Sequence, residues 1–187
     1  DHTVPEDGQR GECGVIEAAL EKPRRTWFGR SSGRTAYESW CLQLGAFYGT
    51  YLGYVPQYGP RALDPSRTVG GMVRKAITRR SSGLTRLARH QEALLWLERL
   101  GFDHPERVIT LYPYQLSGGM AQRVSIAIAL ARGARMILAD EPTTGLDQDS
   151  QTALLRLLLK LREKGWLERL LVVTHDLSVA QTIADSL

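Results

Sequence analysis

The fold is decided by the stretch Met136-Ile137-Leu138-Ala139-Asp140-Glu141-Pro142. A short apolar run bounded by polar and turn-forming residues is typical of a strand that is buried on both faces of a parallel sheet. The acidic residues Asp140 and Glu141 come directly after that strand. Downstream, a leucine-rich segment from about Ser150 to Lys164 predicts a helix, and Leu170-Leu171-Val172-Val173 predicts another strand. The order strand, helix, strand predicts an α/β fold with ligands beyond the carboxyl ends of the strands.

The apolar spacing predicts further elements on either side of this unit. They are a short strand at Leu52 to Pro56 that leads into a loop at Gln57, two or more helices from Val69 to Leu100 with a break at Ser81 to Gly83, a helix from Ser117 to Gly133, and a final helix after Asp176. The breaks are marked by Gly and Ser residues, which favour turns and helix ends. The segment before this first strand has poor periodicity and predicts little.

The composition predicts one globular domain with no membrane-spanning segment. The chain has 187 residues, of which 43% are hydrophobic and 24% charged, so neither disorder nor a fibrous fold is indicated. No run approaches the roughly 18 to 20 apolar residues of a spanning helix, and the start lacks the features of a signal peptide. The cysteines Cys13 and Cys41 lack metal-site spacing and are expected to be reduced. These features predict a cytoplasmic protein.

The net charge of +4 raises the question of a nucleic-acid partner. The basic residues, among them Arg24-Arg25, Arg79-Arg80 and Arg86, are scattered along the sequence and do not form one stripe. A solvated basic surface explains them as well, so no nucleic-acid partner is expected.

A first candidate site is Leu116-Ser117-Gly118-Gly119-Met120-Ala121-Gln122-Arg123. A serine and two glycines directly before a helix let backbone N–H groups approach an anion, and the helix amino terminus adds partial positive charge. This arrangement suits phosphate binding. Taken alone, a serine and two glycines before a helix more often form an ordinary helix cap.

A second candidate site follows the decisive strand. Asp140 has the chemistry to hold Mg²⁺ directly or through water, and Glu141 to orient an attacking water at a γ-phosphate. The alternative is a solvated acidic turn. His175 follows the next strand and is predicted to lie near the same edge of the sheet, although a lone histidine in such a place is usually structural.

Together these residues resemble the ATP-binding subunits of ABC transporters. The segment Leu116 to Met120 is similar to the family's signature motif, and Met136 to Glu141 is similar to its Walker B strand. Thr144 to Asp147 resembles the D-loop, His175 the switch histidine and Gln57 the Q-loop glutamine, in the family's order and at family-like spacing. Within the family, the resemblance is to dipeptide, oligopeptide and nickel importers, on the segments Gln57, Gly59-Pro60, Ala62-Leu63-Asp64-Pro65 and Leu111-Tyr112-Pro113.

The resemblance covers about Tyr54 to Leu187 and implies a P-loop NTPase-like parallel sheet with a helical subdomain. It implies one domain over 1–187 with three parts. They are the degenerate Walker A region and the strand that leads to the Q-loop (1–56), the Q-loop, helical subdomain and signature helix (57–132), and the core with Walker B, D-loop and switch histidine (133–187). It also implies ATP and Mg²⁺ as cofactors. The implied catalytic residues are Glu141 and His175, the ATP-binding residues are Gln57, Leu116, Ser117, Gly118, Gly119, Asp140 and Asp147, and the Mg²⁺ ligands are Asp140 and Gln57.

The amino-terminal segment departs from the family pattern. The best candidate for a Walker A loop, Gly11 to Leu20, aligns at Gly11 and Gly14, but Glu17 replaces the lysine and Ala18 the Mg²⁺-binding hydroxyl. The loop is therefore expected to be degenerate. The alternative is that this segment is a helix start unrelated to Walker A. Compared with the family, the chain is expected to be incomplete at both ends.

Two function hypotheses follow from the resemblance. In the first, the chain is a transporter ATPase subunit at the inner face of the membrane. It works with permease subunits and a second, different ATPase, to whose ATP site it contributes its signature motif, and hydrolyses ATP poorly alone. In the second, it is a structural or regulatory adaptor of a permease that does not hydrolyse ATP. Retention of Glu141 and His175 favours the first hypothesis, because an adaptor needs neither.

Overall fold

The computed structural model describes residues 50–183, apart from the side chain of Arg61. These residues form a three-stranded sheet with strands β1 (Leu52–Val55), β2 (Met136–Asp140) and β3 (Arg169–Val173) in the order β1-β2-β3. Both pairings are parallel, with Val55 opposite Ala139 and Asp140 opposite Val173. All three predicted strands are therefore present, and the predicted α/β class with a parallel sheet is confirmed.

Helices surround the sheet at the predicted places. They are α1 (Val69–Arg80), α2 (Arg86–Arg99), α3 (Pro105–Val108), α4 (Gly118–Ala131), α5 (Gln148–Glu163) and α6 (Leu177–Ile183). The predicted break at Ser81 to Gly83 separates α1 from α2. The sequence did not predict α3 or the 3₁₀ turns Gly59–Ala62 and Pro113–Gln115, because these are too short to show a helical period.

Side-chain caps fix where the longer helices begin. Thr68 accepts a hydrogen bond from the Gly71 N–H before α1, and Thr85 accepts one from Ala88 before α2. The remaining capping residues are Ser117 before α4 and Asp147 before α5. The first N–H groups of a helix have no acceptor within the helix, and the side-chain oxygen of a serine, threonine or aspartate accepts a hydrogen bond from one of them. The cap at Asp147 explains why α5 begins two residues before the predicted Ser150.

The core lies between the sheet and the helices. Along α5 the buried residues recur at helical spacing and form one apolar face, which consists of Leu154, Leu155, Leu157, Leu158 and Leu161. On β2, Ile137 and Ala139 are buried whereas Met136 and Leu138 are half-buried. Alternate residues of a strand point to opposite faces, so one face of the sheet is covered more completely than the other. β2 was expected to be buried on both faces. It is buried on the face of Ile137 and Ala139 and half-buried on the face of Met136 and Leu138.

The end of α4 confirms the predicted role of Gly133. Its φ of +108° lies in a region that L side chains rarely adopt, and only glycine occupies it without strain. Its N–H donates to the carbonyl of Leu130, which satisfies one of the last carbonyls of the helix. The chain then turns into β2 within three residues, since β2 begins at Met136.

One expectation about the basic residues is wrong for the described part of the chain. Arg79 and Arg86 are not scattered on the surface but line a single groove between α1 and α2. The two helices pack against each other, so residues distant in sequence face the same space. The predicted Walker A residues Gly11, Gly14, Glu17 and Ala18, and the cysteines Cys13 and Cys41, lie outside residues 50–183. None of the helices in that range combines the length and apolar character needed to cross a bilayer.

We expect Asp147→Ala to destabilise the chain by about 1 kcal/mol, because the cap of α5 is lost. The Asp147 carboxylate accepts from the Ser150 N–H at 2.9 Å and from the Ser150 hydroxyl at 2.7 Å. Asp147→Asn keeps an acceptor oxygen and should retain most of the stability. Urea unfolding of both variants checks this, and equal losses for alanine and asparagine would contradict the capping role.

Candidate functional site

The carboxyl ends of the three parallel strands lie along one edge of the sheet. Gln57 follows β1 at this edge and is exposed, Glu141 follows β2, and His175 follows β3. The Glu141 N–H donates to the carbonyl of Val173 at 2.8 Å, which continues the pairing of β2 and β3 by one residue. The sequence thus predicted correctly that polar residues after these strands share an edge.

Glu141 and His175 are in direct contact. Glu141 Oε1 lies 2.6 Å from His175 Nδ1 and accepts a hydrogen bond from the His175 backbone N–H at 3.0 Å. The Thr144 hydroxyl donates to Glu141 Oε2 at 3.0 Å. Because a carboxylate accepts only, the proton of this pair lies on Nδ1, which leaves Nε2 of the exposed ring directed away from the pair. The loop after β2 and the loop after β3 are joined by this contact.

The contact shifts the pKa of both partners. The hydrogen bond from the His175 ring lowers the pKa of Glu141, and Thr144 and the His175 N–H act in the same direction against partial desolvation. The same hydrogen bond, together with the negative charge of Glu141, raises the pKa of His175. The arrangement therefore favours an ionised glutamate beside a protonated histidine.

We expect the pair to stabilise the fold most between about pH 4.5 and 6.5, the ordinary pKa values of its partners. Because the pKa of His175 is raised in the folded chain, the histidine contributes to the free energy of unfolding. This contribution is complete below pH 6.5 and is lost as the pH rises through the raised pKa. Because the pKa of Glu141 is lowered in the folded chain, the glutamate also contributes to the free energy of unfolding. This contribution is present above pH 4.5 and is lost as the pH falls through the lowered pKa. NMR titration of His175 checks this: Glu141→Gln should lower the midpoint, and an unchanged midpoint would contradict the pairing.

The backbone of Glu141 is strained. Its φ is +47°, the left-handed region, which residues other than glycine enter at a cost of roughly 1–3 kcal/mol. The hydrogen bonds from its N–H to Val173 and from Thr144 and His175 to its carboxylate hold it there. Such strain is found where a side chain must be aimed, and here it aims the carboxylate at the loop after β3.

Asp140 is the last residue of β2 and lies next to Glu141 in sequence. Its Oδ2 accepts a hydrogen bond from the Tyr54 hydroxyl at 3.1 Å, which raises the pKa of the tyrosine. Within residues 50–183, no group of three or more His, Cys, Asp or Glu side chains forms a metal cage. Asp140 offers a single half-buried carboxylate. Mg²⁺ is often bound by one or two carboxylates, with phosphate oxygens of the substrate and water as the remaining ligands. The residues present therefore fit Mg²⁺ held together with a nucleotide.

The segment Leu116 to Gly119 lies at the amino terminus of α4. A Cβ on Gly118 would lie 3.5 Å from Leu146 Cδ2, and one on Gly119 would lie 3.5 Å from Ser150 Cβ. The glycines are thus next to Asp147, which caps the helix that contains Ser150. Ser117 and Gly118 are exposed. The structure brings this segment together with Asp147, and it places Asp140, Glu141 and His175 in a second group.

The loop that contains Gln57 is bonded to α4. The buried side chain of Gln122 donates to the Pro56 carbonyl at 3.3 Å, and the Ser125 hydroxyl donates to the Gly59 carbonyl at 3.3 Å. A Cβ on Gly59 would lie 2.8 Å from the Gln122 backbone nitrogen, so only glycine allows this approach. These contacts tie the Gln57 loop to α4.

The sequence analysis did not predict the supporting contacts of four residues. They are Tyr54, Gln122, Ser125 and Thr144, which bond to Asp140, Pro56, Gly59 and Glu141 respectively. The signals that could have found them are a tyrosine in a predicted strand and polar residues inside an otherwise apolar helix. Buried polar side chains require partners, so Gln122 and Ser125 on α4 had to bond to something.

A comparison with models of protein families identifies the family of this chain. The family model described as ABC transporter matches residues 32–144, more than half of the chain. The chain belongs to the ABC transporter family. Among relatives of this ABC chain, the dipeptide transport ATP-binding protein DppD of Haemophilus influenzae is 41% identical over 124 residues, which are 66% of this chain and 37% of that protein. The metal-staphylopine import system ATP-binding protein CntD of Staphylococcus aureus is 37% identical over 143 residues, 76% of this chain and 52% of that protein.

Solved structures of ABC cassettes share the fold. The dimeric cassette MJ0796, in a post-hydrolysis state bound to ADP and Pi, superposes with a TM-score of 0.63 at 34% identity over 75% of this chain and 59% of that chain. The predicted ABC-type fold is therefore confirmed. This ABC chain spans between about a third and a half of the length of the two curated relatives named above, 37% and 52%.

Proposed function

We propose that this chain is a nucleotide-binding subunit of an ABC transporter that couples ATP binding and hydrolysis to the import of a peptide or nickel-type solute. Its membership of the family supports the first part, and the relatives named for dipeptide transport and metal-staphylopine import support the second. The observation that carries the proposal is the exposed segment at Ser117 and Gly118, which packs against Leu146 and Ser150 on either side of Asp147.

The segment Leu116 to Gly119 has the chemistry to bind phosphate oxygens of a nucleotide held by a partner. The Ser117 oxygen accepts from the Met120 N–H, so its own proton is free to be donated outwards. The N–H groups of the first turn of α4 and the helix dipole add positive potential at the same point. Leu116, Ser117, Gly118, Gly119 and Asp147 are thus the residues that complete the partner's ATP site in this proposal.

The chain's own Walker A segment supports an unequal pair of ATPases. In this proposal Gly11 to Leu20 corresponds to the Walker A loop. Glu17 would then take the place of the lysine that contacts the β- and γ-phosphates, and Ala18 the place of the Mg²⁺-binding hydroxyl. A carboxylate near phosphate repels it by about 1 to 4 kcal/mol at effective dielectrics of 80 to 20. The site formed with this chain's Glu141 and His175 is therefore expected to turn over ATP poorly, and the partner subunit to be a different ATPase.

At that site, Asp140 and Gln57 would hold Mg²⁺, and Glu141 would orient the water that attacks the γ-phosphate. Mg²⁺, when bound, neutralises charge on the phosphates. His175 would contact the γ-phosphate with the nitrogen that Glu141 does not bind. The hydrogen bonds of Gln122 and Ser125 to the Gln57 loop would carry its displacement to the signature helix.

The assembly in this proposal is a peripheral complex at the cytoplasmic face of the membrane. The chain docks with transmembrane permease subunits and a second ABC ATPase, and no nucleic-acid partner is proposed. The family membership and the relatives' names support this assembly.

ATP-dependent association tests the proposal. The full chain is mixed with a homologous subunit whose Walker A loop is intact and whose catalytic glutamate is replaced by glutamine, so that bound ATP persists. Size-exclusion chromatography should give a heterodimer with Mg²⁺ and ATP but not with ADP, and Ser117→Arg should prevent it. A heterodimer that forms equally without nucleotide, or with Ser117→Arg, would overturn the proposal and favour a non-hydrolytic adaptor.

A further inference from the structure

A groove of about 400 Å³ lies between α1 and α2, on the helical part of the fold. It is lined by Gly71, Arg74, Lys75, Thr78, Arg79, Arg86 and Arg89. We call it the α1–α2 groove. It shares no residue with the group of Asp140, Glu141 and His175 or with the Ser117 segment at the amino terminus of α4.

The groove is cationic because the sequence around it has no acids. From Pro65 to Gln91 there is no Asp or Glu, whereas the same segment holds Arg67, Arg74, Lys75, Arg79, Arg80, Arg86 and Arg89. Arg67 pairs with Asp64 and Arg80 with Glu92, and both of those arginines lie outside the groove. Within residues 50–183, none of the five groove cations makes an ion pair.

Part of the groove wall is held in position by hydrogen bonds. The half-buried guanidinium of Arg89 donates from Nη1 to the Thr78 hydroxyl at 2.8 Å and from Nε to the Thr85 carbonyl at 3.4 Å. Thr78 in turn donates to the Arg74 carbonyl, so α1 and α2 are tied together at this point. An arginine has five N–H donors, and the remaining donors of Arg89 are left for a ligand.

These features differ from those of a solvated basic face. Like charges that line a concave surface repel one another and focus a positive potential into it, so an anion is strongly favoured there. Guanidinium groups bind phosphate through two parallel hydrogen bonds, which an ammonium cannot do. Four of the five cations are arginines, and the volume is that of a small-ligand site.

We propose that the α1–α2 groove binds a phosphate-bearing ligand, either a soluble polyphosphate or the headgroup of an anionic phospholipid. The phosphate oxygens accept hydrogen bonds from Arg89 and the neighbouring arginines, and the cations Arg74, Lys75, Arg79 and Arg86 surround the charge. This site is additional to the ATP site of the proposed function and does not depend on it.

The experiment uses the full chain and two double variants of equal charge change. Arg79→Gln/Arg86→Gln removes two exposed groove cations, and Arg156→Gln/Lys160→Gln removes two exposed cations of α5. Tripolyphosphate binding is measured by calorimetry, and vesicle binding by co-sedimentation with phosphatidylcholine that contains or lacks phosphatidylglycerol. The groove variant should weaken binding of one of these probes by roughly 10- to 30-fold, and the α5 variant by less than about threefold.

The outcomes separate the two sources of phosphate. Groove-dependent binding of tripolyphosphate assigns the site to a soluble ligand, and groove-dependent binding of phosphatidylglycerol vesicles alone assigns it to a headgroup. Equal losses for both double variants, or no binding of either probe by the unmodified chain, would overturn the proposal. Tight binding of an RNA oligomer without either probe would also overturn it, in favour of a nucleic-acid surface.

Discussion

Ser117→Arg is expected to reduce ATP turnover of the reconstituted transporter by at least about 100-fold. The substitution puts a long cation at the exposed amino terminus of α4, where the phosphate of the partner's nucleotide is proposed to bind. It also removes the outward-donating hydroxyl. Because catalytic stabilisation of phosphate charge depends on exact placement of donors, displacement of the nucleotide should affect turnover more than protein stability. Steady-state phosphate release from the complex measures the effect.

Two controls make this result specific. Ser82→Arg introduces the same side chain at an exposed serine in the turn between α1 and α2 and should leave turnover within about twofold of the unmodified complex. Glu141→Gln should leave most of the turnover, because the proposed function assigns Glu141 to the site in which the Walker A loop is expected to be degenerate. If Glu141→Gln abolished turnover and Ser117→Arg did not, the assignment of the two sites would have to be reversed.

Leu158→Ala is expected to lower the free energy of unfolding by about 2–5 kcal/mol. Leu158 is 0% exposed in the middle of the apolar face of α5, so the substitution loses buried surface and leaves a cavity. Domains are stable by only about 5–15 kcal/mol, so this is a large fraction of the total. Leu95→Ala, at a leucine of α2 that is 47% exposed, should cost less than about 1 kcal/mol. Urea unfolding followed by circular dichroism compares the two, and equal losses would contradict the packing described for α5.

Much of the fold could be predicted from local sequence because the decisive elements have strong, short-range signals. The strand at Met136 is a pure apolar run, and α5 has a leucine stripe that only a helix brings to one face. Helix starts at Thr68, Thr85, Ser117 and Asp147 follow from capping chemistry. The short helix Pro105–Val108 could not be predicted, since four residues are too few to show a period.

The candidate site could be predicted in its membership but not in its geometry. Parallel strands bring their carboxyl ends together, so Glu141 and His175 were expected at one edge. The 2.6 Å contact between them depends on a positive φ at Glu141, which glutamate rarely adopts and no local pattern signals. The position of the Ser117 segment beside Asp147 likewise depends on how α4 packs against Leu146 and Ser150.

The basic groove shows a different limit of sequence reasoning. Arg74 and Arg89 are fifteen positions apart, so their charges look scattered along the chain. The turn at Ser81 to Gly83 lets α2 pack against α1, and both side chains then line one groove. A run of residues without acids was the available signal, because it leaves nearby cations without partners wherever the fold places them.

The most direct measurement of the central claim is the binding of a fluorescent ATP analogue with Mg²⁺. It is measured for the purified chain, for a homologous subunit with an intact Walker A loop, and for the two together. We expect weak binding by this chain alone, binding by the pair that is tighter than by the partner alone, and loss of that gain with Ser117→Arg. Tight binding by this chain alone, unaffected by the partner or by Ser117→Arg, would contradict the account, because the segment Gly11 to Leu20 would then hold phosphate itself.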